Sequence, residues 1–216
     1  MSFYSCLSDN EILLKQLLPI DESFDLIFRR ITIGGRDAFY ISVDGLGKDE
    51  TILRIFQVIQ GEDHQPSLET ITRFLRAKIG YLETELTSSP EQAVRMILSG
   101  AMLIVLDGFT SAILLDTRTY PARSPEEPDL EKVTRGARDG LVETIVFNTA
   151  LIRRRIRDPR LIYEMFQIGS SSQTDVAVGY IKGMADPYLL DHLRKALRQI
   201  DTDALLMGEK TLEELL

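Results

Sequence analysis

A chain of 216 residues is long enough for one large domain or for two domains of about 100 residues each. Its composition, 44% hydrophobic and 27% charged, is that of a globular protein and excludes a disordered or fibrous one. The net charge of −8 argues against nucleic acid as the main partner, because phosphate groups would be repelled by most of the surface.

Neither a membrane span nor a disulfide is expected in this sequence. No window reaches the roughly 18 uncharged apolar residues of a membrane-spanning helix. The N-terminus lacks the basic and apolar segments of a signal peptide, so we expect the chain to stay on the cytoplasmic side. Cys6 is the single cysteine, which excludes an internal disulfide and argues against a thiolate metal cluster.

The first predicted elements are a helix and a hairpin. Ser8 and Glu11 have the spacing of a capping box, which predicts a helix over residues 9–18. Apolar residues then alternate on both sides of Gly34-Gly35, and these two glycines can adopt the positive φ angles of a type I′ turn. The pattern predicts a hairpin over residues 24–43.

A turn and two amphipathic helices follow the hairpin. The glycine-containing stretch 44–48 lacks the spacing of a phosphate-binding loop, so it is interpreted as a turn into a helix. Each helix has one apolar face that needs a sheet to cover it. The two faces are Ile52, Ile55, Phe56 and Ile59 in the first helix and Leu68, Ile71, Phe74 and Leu75 in the second.

The next stretch predicts a short strand, a capped helix and a second hairpin. Residues 81–86 have strand character. Ser89-Pro90 with Gln92 then gives an N-cap, a proline at the first helical position and a capping box. Apolar runs on both sides of Asp107-Gly108 predict a hairpin over residues 101–116, and their continuous apolar character predicts burial on both faces.

Prolines 121, 125 and 128 mark a connector, because proline prevents both a helix interior and a central strand. We therefore predict an N-terminal domain over residues 1–120 and a second over residues 121–216. The expected fold class is α/β (α+β), with two small α/β lobes, each a mixed sheet with helices packed on it.

The connector leads to a basic helix, predicted over residues 141–157. Four apolar residues and one polar residue recur at the spacing of one helix face. They are Leu141, Ile145, Asn148, Ile152 and Ile156. Because an unsatisfied buried carboxamide costs about 1–3 kcal/mol, Asn148 must find partners. It is interpreted as a core residue that ties the helix to a neighbouring loop, with a ligand contact as the alternative.

Positive charge is concentrated around this helix. Residues 118–160 contain ten Lys or Arg and seven Asp or Glu, in a chain whose net charge is −8. Arg153, Arg154 and Arg155 are predicted to lie in the last turn, where cations interact favourably with the helix dipole. A solvated face and docking on an acidic partner, a sister subunit or anionic lipid headgroups both stay open.

The remaining sequence predicts a hairpin over residues 161–182 whose turn starts at Gly169. An anion cradle in this turn is the weaker alternative, since no helix begins after it. A helix follows from Asp186-Pro187, with inward residues Leu189, Leu190, Leu193 and Leu197. A short strand over residues 203–207 and the start of a helix over residues 211–216 complete the prediction, and the apolar end suggests a chain cut from something longer.

Recognisable catalytic chemistry is missing from the sequence. There is no HExxH, CxxC, GxSxG or GxGxxG motif, and no acidic pair in an apolar setting. His64 and His192 have polar neighbours and are predicted to be surface residues. We therefore expect no enzyme activity, no catalytic residue, no metal and no cofactor.

A series of residues around the basic helix resembles the signature of the GerA family, the A subunits of bacterial spore germination receptors and their sporulation paralogue. The similar positions near the helix are Arg123, Ser124, Glu127-Pro128, Glu131, Arg135-Gly136, Arg138, Gly140, Glu143, Asn148 and Leu151 to Arg155. Further similar positions are Leu106-Asp107-Gly108, Gly169, Thr174, Val178, Tyr180-Ile181, Gly183, Asp201 and Asp203. The stretches Val43 to Leu46 and Lys48 to Glu50 are closer to the sporulation paralogue than to the nutrient receptors.

The resemblance implies a cytoplasmic N-terminal region of a membrane-embedded protein of the spore inner membrane, on the cytoplasmic or spore-core side. It implies a role in assembly or signal relay during germination and ion release, other subunits of a spore membrane complex as partners, and a homo-oligomer in the full-length protein. The membrane contact is expected through transmembrane helices beyond this sequence.

Ten residues are the ligand or interface candidates: Arg123, Glu127, Glu131, Arg135, Arg138, Glu143, Asn148, Arg153, Arg154 and Arg155. Two other classes of function stay open. The first is a small-molecule sensor with a nutrient in a cleft between two lobes, contacted by Arg135, Arg138, Glu143 and Asn148. The second is an unrecognised enzyme that uses the Gly169 turn as an anion site.

Overall fold

The computed structural model describes residues 2–60, 66–118, 140–205 and 209–215. We call residues 2–118 the N-terminal region and residues 140–215 the C-terminal region. The N-terminal region contains α1 (Leu7–Leu17), β1 (Leu26–Ile33), β2 (Arg36–Val43), α2 (Asp49–Gln60), α3 (Leu68–Lys78), β3 (Thr84–Thr87), α4 (Pro90–Leu98), β4 (Met102–Leu106) and β5 (Ala112–Leu115). The C-terminal region contains α5 (Ile145–Arg155), β6 (Leu161–Ile168), β7 (Thr174–Ile181), α6 (Pro187–Gln199) and α7 (Glu209–Leu215).

The N-terminal region is built on a five-stranded sheet in the order β1-β2-β4-β5-β3. The predicted first hairpin is confirmed, since Gly34 and Gly35 have φ angles of 55° and 76° and Ile33 pairs with Arg36. Every pairing in the described sheets is antiparallel, so the α+β class is confirmed but the expected mixed sheets are not. Short turns join β1 to β2, β4 to β5 and β6 to β7, and such turns can only connect antiparallel strands.

Helices cover both faces of this sheet, which explains why β4 and β5 are buried throughout. Phe39, Ile41 and Val105 face a core formed with α1 and α4. Ile104 and its even-numbered neighbours face a second core, formed with α2 and α3. Because side chains alternate along a strand, continuous apolar character is what a sheet covered on both faces requires. The second hairpin is therefore as predicted.

The ends and faces of two helices differ from the prediction. Helix α1 begins at Leu7, after Cys6 at the N-cap, so Ser8 lies inside the helix and the predicted capping box is wrong. The reason is a distant partner: the Asp107 carboxylate accepts the Leu7 N–H at 3.0 Å, so the first turn is capped from the β4–β5 hairpin. In α3, Phe74 is 38% exposed and does not belong to the inner face.

The N-cap of α4 is as predicted, but the second hydrogen bond of the capping box, from the Ser89 N–H to the Gln92 side chain, is replaced. Ser89 Oγ accepts the Gln92 N–H at 3.3 Å. The Gln92 side chain bonds instead to Thr87 and Glu85, and the Thr87 hydroxyl accepts the Ser89 N–H at 3.2 Å. Thr87 at the end of β3 therefore satisfies the donor that the capping box would leave to Gln92.

The C-terminal region has a two-stranded sheet, β6 paired with β7 from Leu161↔Ile181 to Ile168↔Thr174. The hairpin and α7 are as predicted. In α6, Leu197 is buried but Leu189 is 65% exposed, so the predicted inner face is wrong at that position. Residues 203–205 form no strand, and the end of the predicted strand lies outside the described residues, as do connector residues 119–139, so the two-domain division stays a prediction.

No helix in the described parts of the chain has the length and apolar character needed to cross a membrane.

Candidate functional site

Helix α5 packs with a different face from the one that periodicity predicts. Its buried residues are Thr149, Ala150 and Arg153. Leu141, predicted to be on the inner stripe, precedes the helix and is 67% exposed, and Ile156 is 38% exposed. The prediction was wrong because apolar periodicity does not reveal a helix whose inner face is made of small residues and a buried cation.

Arg153 is fully buried and pairs with Asp25, 128 positions earlier in the sequence. Its Nε donates to one Asp25 oxygen at 2.8 Å and its Nη2 to the other at 3.0 Å. Nη2 also donates to the Leu161 carbonyl at 2.9 Å, and Nη1 to the Asp158 carbonyl at 3.2 Å. The guanidinium thus uses its planar set of donors to join β1, α5 and the start of β6.

Two further residues complete what we call the Arg153 junction: Ser23, Asp25, Arg153 and Tyr163. The Ser23 hydroxyl donates to Asp25 at 2.6 Å and accepts the Tyr163 N–H at 2.9 Å. The Phe24 N–H donates to the Tyr163 carbonyl at 3.1 Å, and the Arg153 guanidinium lies 5.3 Å from the centre of the Tyr163 ring. The segment before β1 is therefore bonded directly to β6.

Burial shapes the chemistry of the junction. All four of its residues are at most 3% exposed. Burial raises the pKa of the Tyr163 phenol to about 12, so this hydroxyl stays protonated near neutral pH. A buried ion pair is costly to desolvate, and removal of one partner from such a pair destabilises proteins by about 3–5 kcal/mol. The junction is therefore a structural connection rather than a source of reactive groups.

The Asp44-Gly45 turn is the second contact between the two regions. Gly45 has a φ angle of +74°, and a Cβ built on it would lie 3.0 Å from both Ala150 Cβ and Val146 Cγ1. Helix α5 thus packs directly on the backbone of this turn, which only glycine permits. Burial raises the pKa of the adjacent Asp44 carboxyl.

Asn148 ties the helix to nearby backbone, as predicted, but it is half-buried and does not lie in the core. Its side-chain amide donates to the Val142 carbonyl at 2.6 Å and its carbonyl accepts the Val142 N–H at 2.7 Å. This reciprocal pair ties α5 to the residues that precede it. The carboxamide thus uses one of its N–H donors and one lone pair of its oxygen within the protein.

The remaining candidate residues differ in their exposure and do not form one site among the described residues. Glu143 is exposed, Arg154 is half-buried and Arg155 is exposed. At the end of α5, Arg157 donates to the Arg154 carbonyl at 3.2 Å. Arg153, expected to face the helix dipole near the surface, points into the protein. The other candidates, Arg123, Glu127, Glu131, Arg135 and Arg138, lie outside the described residues.

Sequence reasoning missed Ser23, Asp25, Gly45 and Tyr163 as members of this site. The available signal was an acid, Asp25, immediately before an apolar strand, where a buried charge needs a partner. Its partner lies too far along the chain for any local spacing rule to identify.

A cleft of about 410 Å³ lies beside the junction, between residues 20–26 and the β6 strand. Its carboxylates already have cationic partners: Glu22 bonds to Lys182, and Glu164 bonds to Arg194. The hydrogen bond from Arg194 holds the pKa of Glu164 below its ordinary value. A second cleft, of about 600 Å³, lies in the N-terminal region, where Arg76 donates to the Thr84 hydroxyl at 2.5 Å.

Neither a metal site nor an anion site forms from the residues in view. Among the described residues, no three His, Cys, Asp or Glu side chains converge to hold a metal ion. The Gly169 turn is not an anion cradle, because its N–H groups are already used: Ser170 donates to the Thr202 carbonyl, and Ser171 and Ser172 donate to the Asp203 carbonyl, at 3.0–3.1 Å. The hairpin-turn interpretation is confirmed, and His192 is exposed as predicted.

The fold and the junction define a class: an α+β region of helix-backed antiparallel sheets, tied together by a buried ion pair. The chain belongs to the GerA family, since the model of the Bacillus/Clostridium GerA spore germination protein matches residues 13–216. This confirms the family resemblance found in the sequence.

Two relatives illustrate the match. Stage V sporulation protein AF of Bacillus subtilis is 35% identical over 206 residues, which are 95% of this chain and 42% of that protein. Spore germination protein KA of B. subtilis is 31% identical over 192 residues, 87% of this chain and 35% of that protein. The chain thus spans about two fifths of the length of these relatives.

The fold also matches a solved structure, the N-terminal domain of the A subunit of the Bacillus megaterium spore germinant receptor GerK3. The TM-score is 0.70 at 24% identity, and the match covers all of this chain and 81% of that one. At this identity the similarity establishes the shared fold.

Proposed function

We propose that this chain is the N-terminal region of a membrane-embedded spore germination protein and that it serves assembly or signal relay during germination and ion release. Membership of the GerA family and the similarity to stage V sporulation protein AF support this role. The full-length protein is proposed to lie in the spore inner membrane, with this region on the cytoplasmic or spore-core side. Its partners would be other subunits of a spore membrane complex, and the protein would form a homo-oligomer.

The observation that carries the proposal is the Arg153 junction. Asp25 and Arg153 are both nearly fully buried, and their pairing connects the N-terminal sheet to α5 and β6. A rigid connection of this kind would transmit a displacement of one region to the other. A loosely tethered pair of regions would absorb it.

The test replaces the chromosomal gene with an Arg153→Met version in the organism that makes the spores. We expect the variant protein to reach the spore membrane at reduced stability and germination to slow, read as the fall in optical density and the release of ions. Arg155→Met is the matched control, because Arg155 is in the same helical turn but exposed. Normal germination of spores that carry the Arg153→Met protein at normal abundance would contradict the proposal.

A nutrient-sensing function is the second candidate, and the cleft of about 410 Å³ beside the junction favours it. Phe24 and Phe166 supply apolar contacts, and Arg198, which also lines the cleft, supplies a cation for a carboxylate. Titration calorimetry against amino acids and sugars, with Arg198→Gln as the variant, separates the two functions. Binding that the variant abolishes would favour the nutrient-sensing function. If none of the compounds gives a heat of binding, assembly or signal relay is favoured.

A further inference from the structure

Helix α3 and the turn after it expose aromatic and basic side chains that packing on the sheet does not use. The buried face of the helix consists of Leu68, Ile71, Thr72 and Leu75. Phe74 is 38% exposed, and Tyr81 in the turn is 63% exposed. Residues 70–82 contain three cations, Arg73, Arg76 and Lys78, and no acid, in a chain whose net charge is −8. The stretch therefore has the opposite charge to the protein as a whole.

The side chains of α3 divide between two flanks of the helix. Helix α2 packs on β1 and α3 packs on β3 and β5, and β1 and β3 are the two edges of the sheet. Arg76 is directed toward the β3 edge, where it donates to the Thr84 hydroxyl at 2.5 Å. An α-helix turns by about 100° per residue, so Phe74 and Lys78 lie about 200° from Arg76. Their flank therefore faces α2.

This second flank brings a cation and two rings together. The Lys78 Nζ lies 5.6 Å from the centre of the Phe74 ring. The Tyr81 hydroxyl is 3.4 Å from the Thr51 hydroxyl in the first turn of α2, which places Tyr81 on the same side. Arg73 is exposed on the outer face of α3, away from the sheet. We call Arg73, Phe74, Lys78 and Tyr81 the α3 patch.

The chemistry of the α3 patch fits anionic lipid headgroups. Each Lys or Arg close to an anionic leaflet strengthens binding about fivefold. Aromatic side chains lie favourably at the boundary between headgroups and acyl chains, which is apolar on one side and wet on the other. An acidic protein would satisfy the cations, but an acidic surface has no apolar layer to receive the rings. Acidic groups elsewhere on the chain are screened beyond about 8 Å at physiological salt.

We propose that the α3 patch docks the N-terminal region on the anionic headgroups of a bilayer, with the Phe74 and Tyr81 rings in the headgroup layer. This docking rests on the proposed function, which makes the full-length protein membrane-embedded and so keeps a bilayer close to this region. Docking would fix the orientation of the five-stranded sheet relative to the membrane. The Arg153 junction would pass that constraint to the C-terminal region.

The first test is sedimentation of the 216-residue chain with vesicles of phosphatidylglycerol and phosphatidylcholine. We expect binding that weakens with salt and is nearly absent with phosphatidylcholine alone. Arg73→Gln with Lys78→Gln should lower the partition coefficient about 25-fold, with the melting temperature nearly unchanged. Arg29→Gln with Lys195→Gln removes two exposed cations elsewhere and should have little effect. Failure of the unmodified chain to bind, or equal losses in the two double variants, would overturn the proposal.

The second test uses the absence of tryptophan from the sequence. In Phe74→Trp the single tryptophan should shift its emission to the blue with anionic vesicles and be quenched by brominated lipids. Phe147→Trp is the control, because Phe147 is 47% exposed on α5 and should show neither change. Vesicle binding without a shift at residue 74 would overturn the proposal.

An acidic protein is the competing partner. Binding of polyglutamate that requires Arg73 and Lys78, in a chain that ignores anionic vesicles, would show that partner instead and overturn the docking on lipid. Because vesicle binding is measured on the purified chain, it is decided independently of the role in germination.

Discussion

The two regions of the molecule are stabilised in different ways. Of the buried apolar side chains in the described residues, thirty-three lie in the N-terminal region and six in the C-terminal region. The first has two hydrophobic cores, one on each face of a five-stranded sheet. The second has a two-stranded sheet and a set of specific polar contacts, of which the Arg153 junction is the most buried.

The difference shows what each region depends on. Hydrophobic burial is distributed over many side chains, so the N-terminal region tolerates the loss of a single polar contact. The C-terminal region has few buried apolar groups, and its attachment to the rest of the molecule depends on directional bonds. A single substitution at the junction should therefore affect the C-terminal region far more than the N-terminal sheet.

The largest expected effect comes from Arg153→Met. The variant leaves the Asp25 carboxylate buried without a counter-charge, so we expect a loss of about 3–5 kcal/mol in the free energy of unfolding. Urea denaturation measures the loss, and hydrogen exchange should show it concentrated in β6 and β7. The double variant Arg153→Met with Asp25→Leu should recover most of the stability. A loss below about 1 kcal/mol in the single variant would show that the pair is not essential to the attachment.

Gly45→Ala should have the next largest effect. The φ angle of +74° costs an alanine about 1–2 kcal/mol, and the new methyl group would lie 3.0 Å from Ala150 and Val146 on α5. With overpacking included, we expect the free energy of unfolding to fall by about 2–4 kcal/mol, measured by thermal or urea unfolding. Gly35→Ala is the control, since φ is +76° there but no atom lies within 4 Å of a Cβ. Equal losses in the two variants would mean that close packing of α5 adds nothing.

The Glu164–Arg194 pair within the C-terminal region should give a pH-dependent effect. Because the Arg194 hydrogen bond lowers the folded-state pKa of Glu164, its stabilisation is complete above the ordinary value near 4.5 and is lost as the pH falls through the lowered pKa. Glu164→Gln should cost about 1 kcal/mol at pH 7 and progressively less in acid. Urea midpoints measured from pH 7 to pH 3 check this, and a difference that does not shrink in acid would refute it.

The smallest effect is expected for Lys182→Ala. The Lys182 Nζ lies 2.7 Å from Glu22, but both side chains are about half exposed, at 59% and 49%. Solvent-exposed pairs contribute about 0–1 kcal/mol, so this exposed link between the regions should be nearly dispensable. The loss in the free energy of unfolding is compared with that of Arg153→Met under identical denaturation conditions. The two ion pairs differ mainly in how deeply they are buried. A loss as large as that of Arg153→Met would contradict the comparison.

Local patterns predicted the elements well and long-range contacts poorly. The turn at Gly34-Gly35 and the N-cap at Ser89 are set by neighbouring residues, so both could be identified from the sequence. The N-terminus of α1 could not, because its cap is supplied by Asp107, about 100 residues away. Leu189 is a second case in which local pattern failed. An apolar residue at helical spacing is buried only where another element covers that face of the helix.

The candidate site shows this limit most clearly. Asn148 was identified because it falls on the predicted apolar stripe, and its partner, Val142, is only six residues away. Arg153 was recognised as part of a basic cluster, but its burial depends on Asp25, and a single sequence contains no signal that pairs them. Periodicity predicted a helix here but began it four residues too early, at 141 instead of Ile145. It also predicted the wrong inner face, which contains Thr149, Ala150 and an arginine in place of an apolar stripe.

The separation of 128 positions between Asp25 and Arg153 has a consequence for synthesis. The ribosome completes β1 to β5 before it adds Arg153, and domains generally fold as units from the N-terminus. During that interval the partners available to the Asp25 carboxylate are the Ser23 hydroxyl and water, which leaves the start of β1 hydrated. The nascent chain therefore closes its main cores first and excludes water from its last buried charge only when α5 arrives.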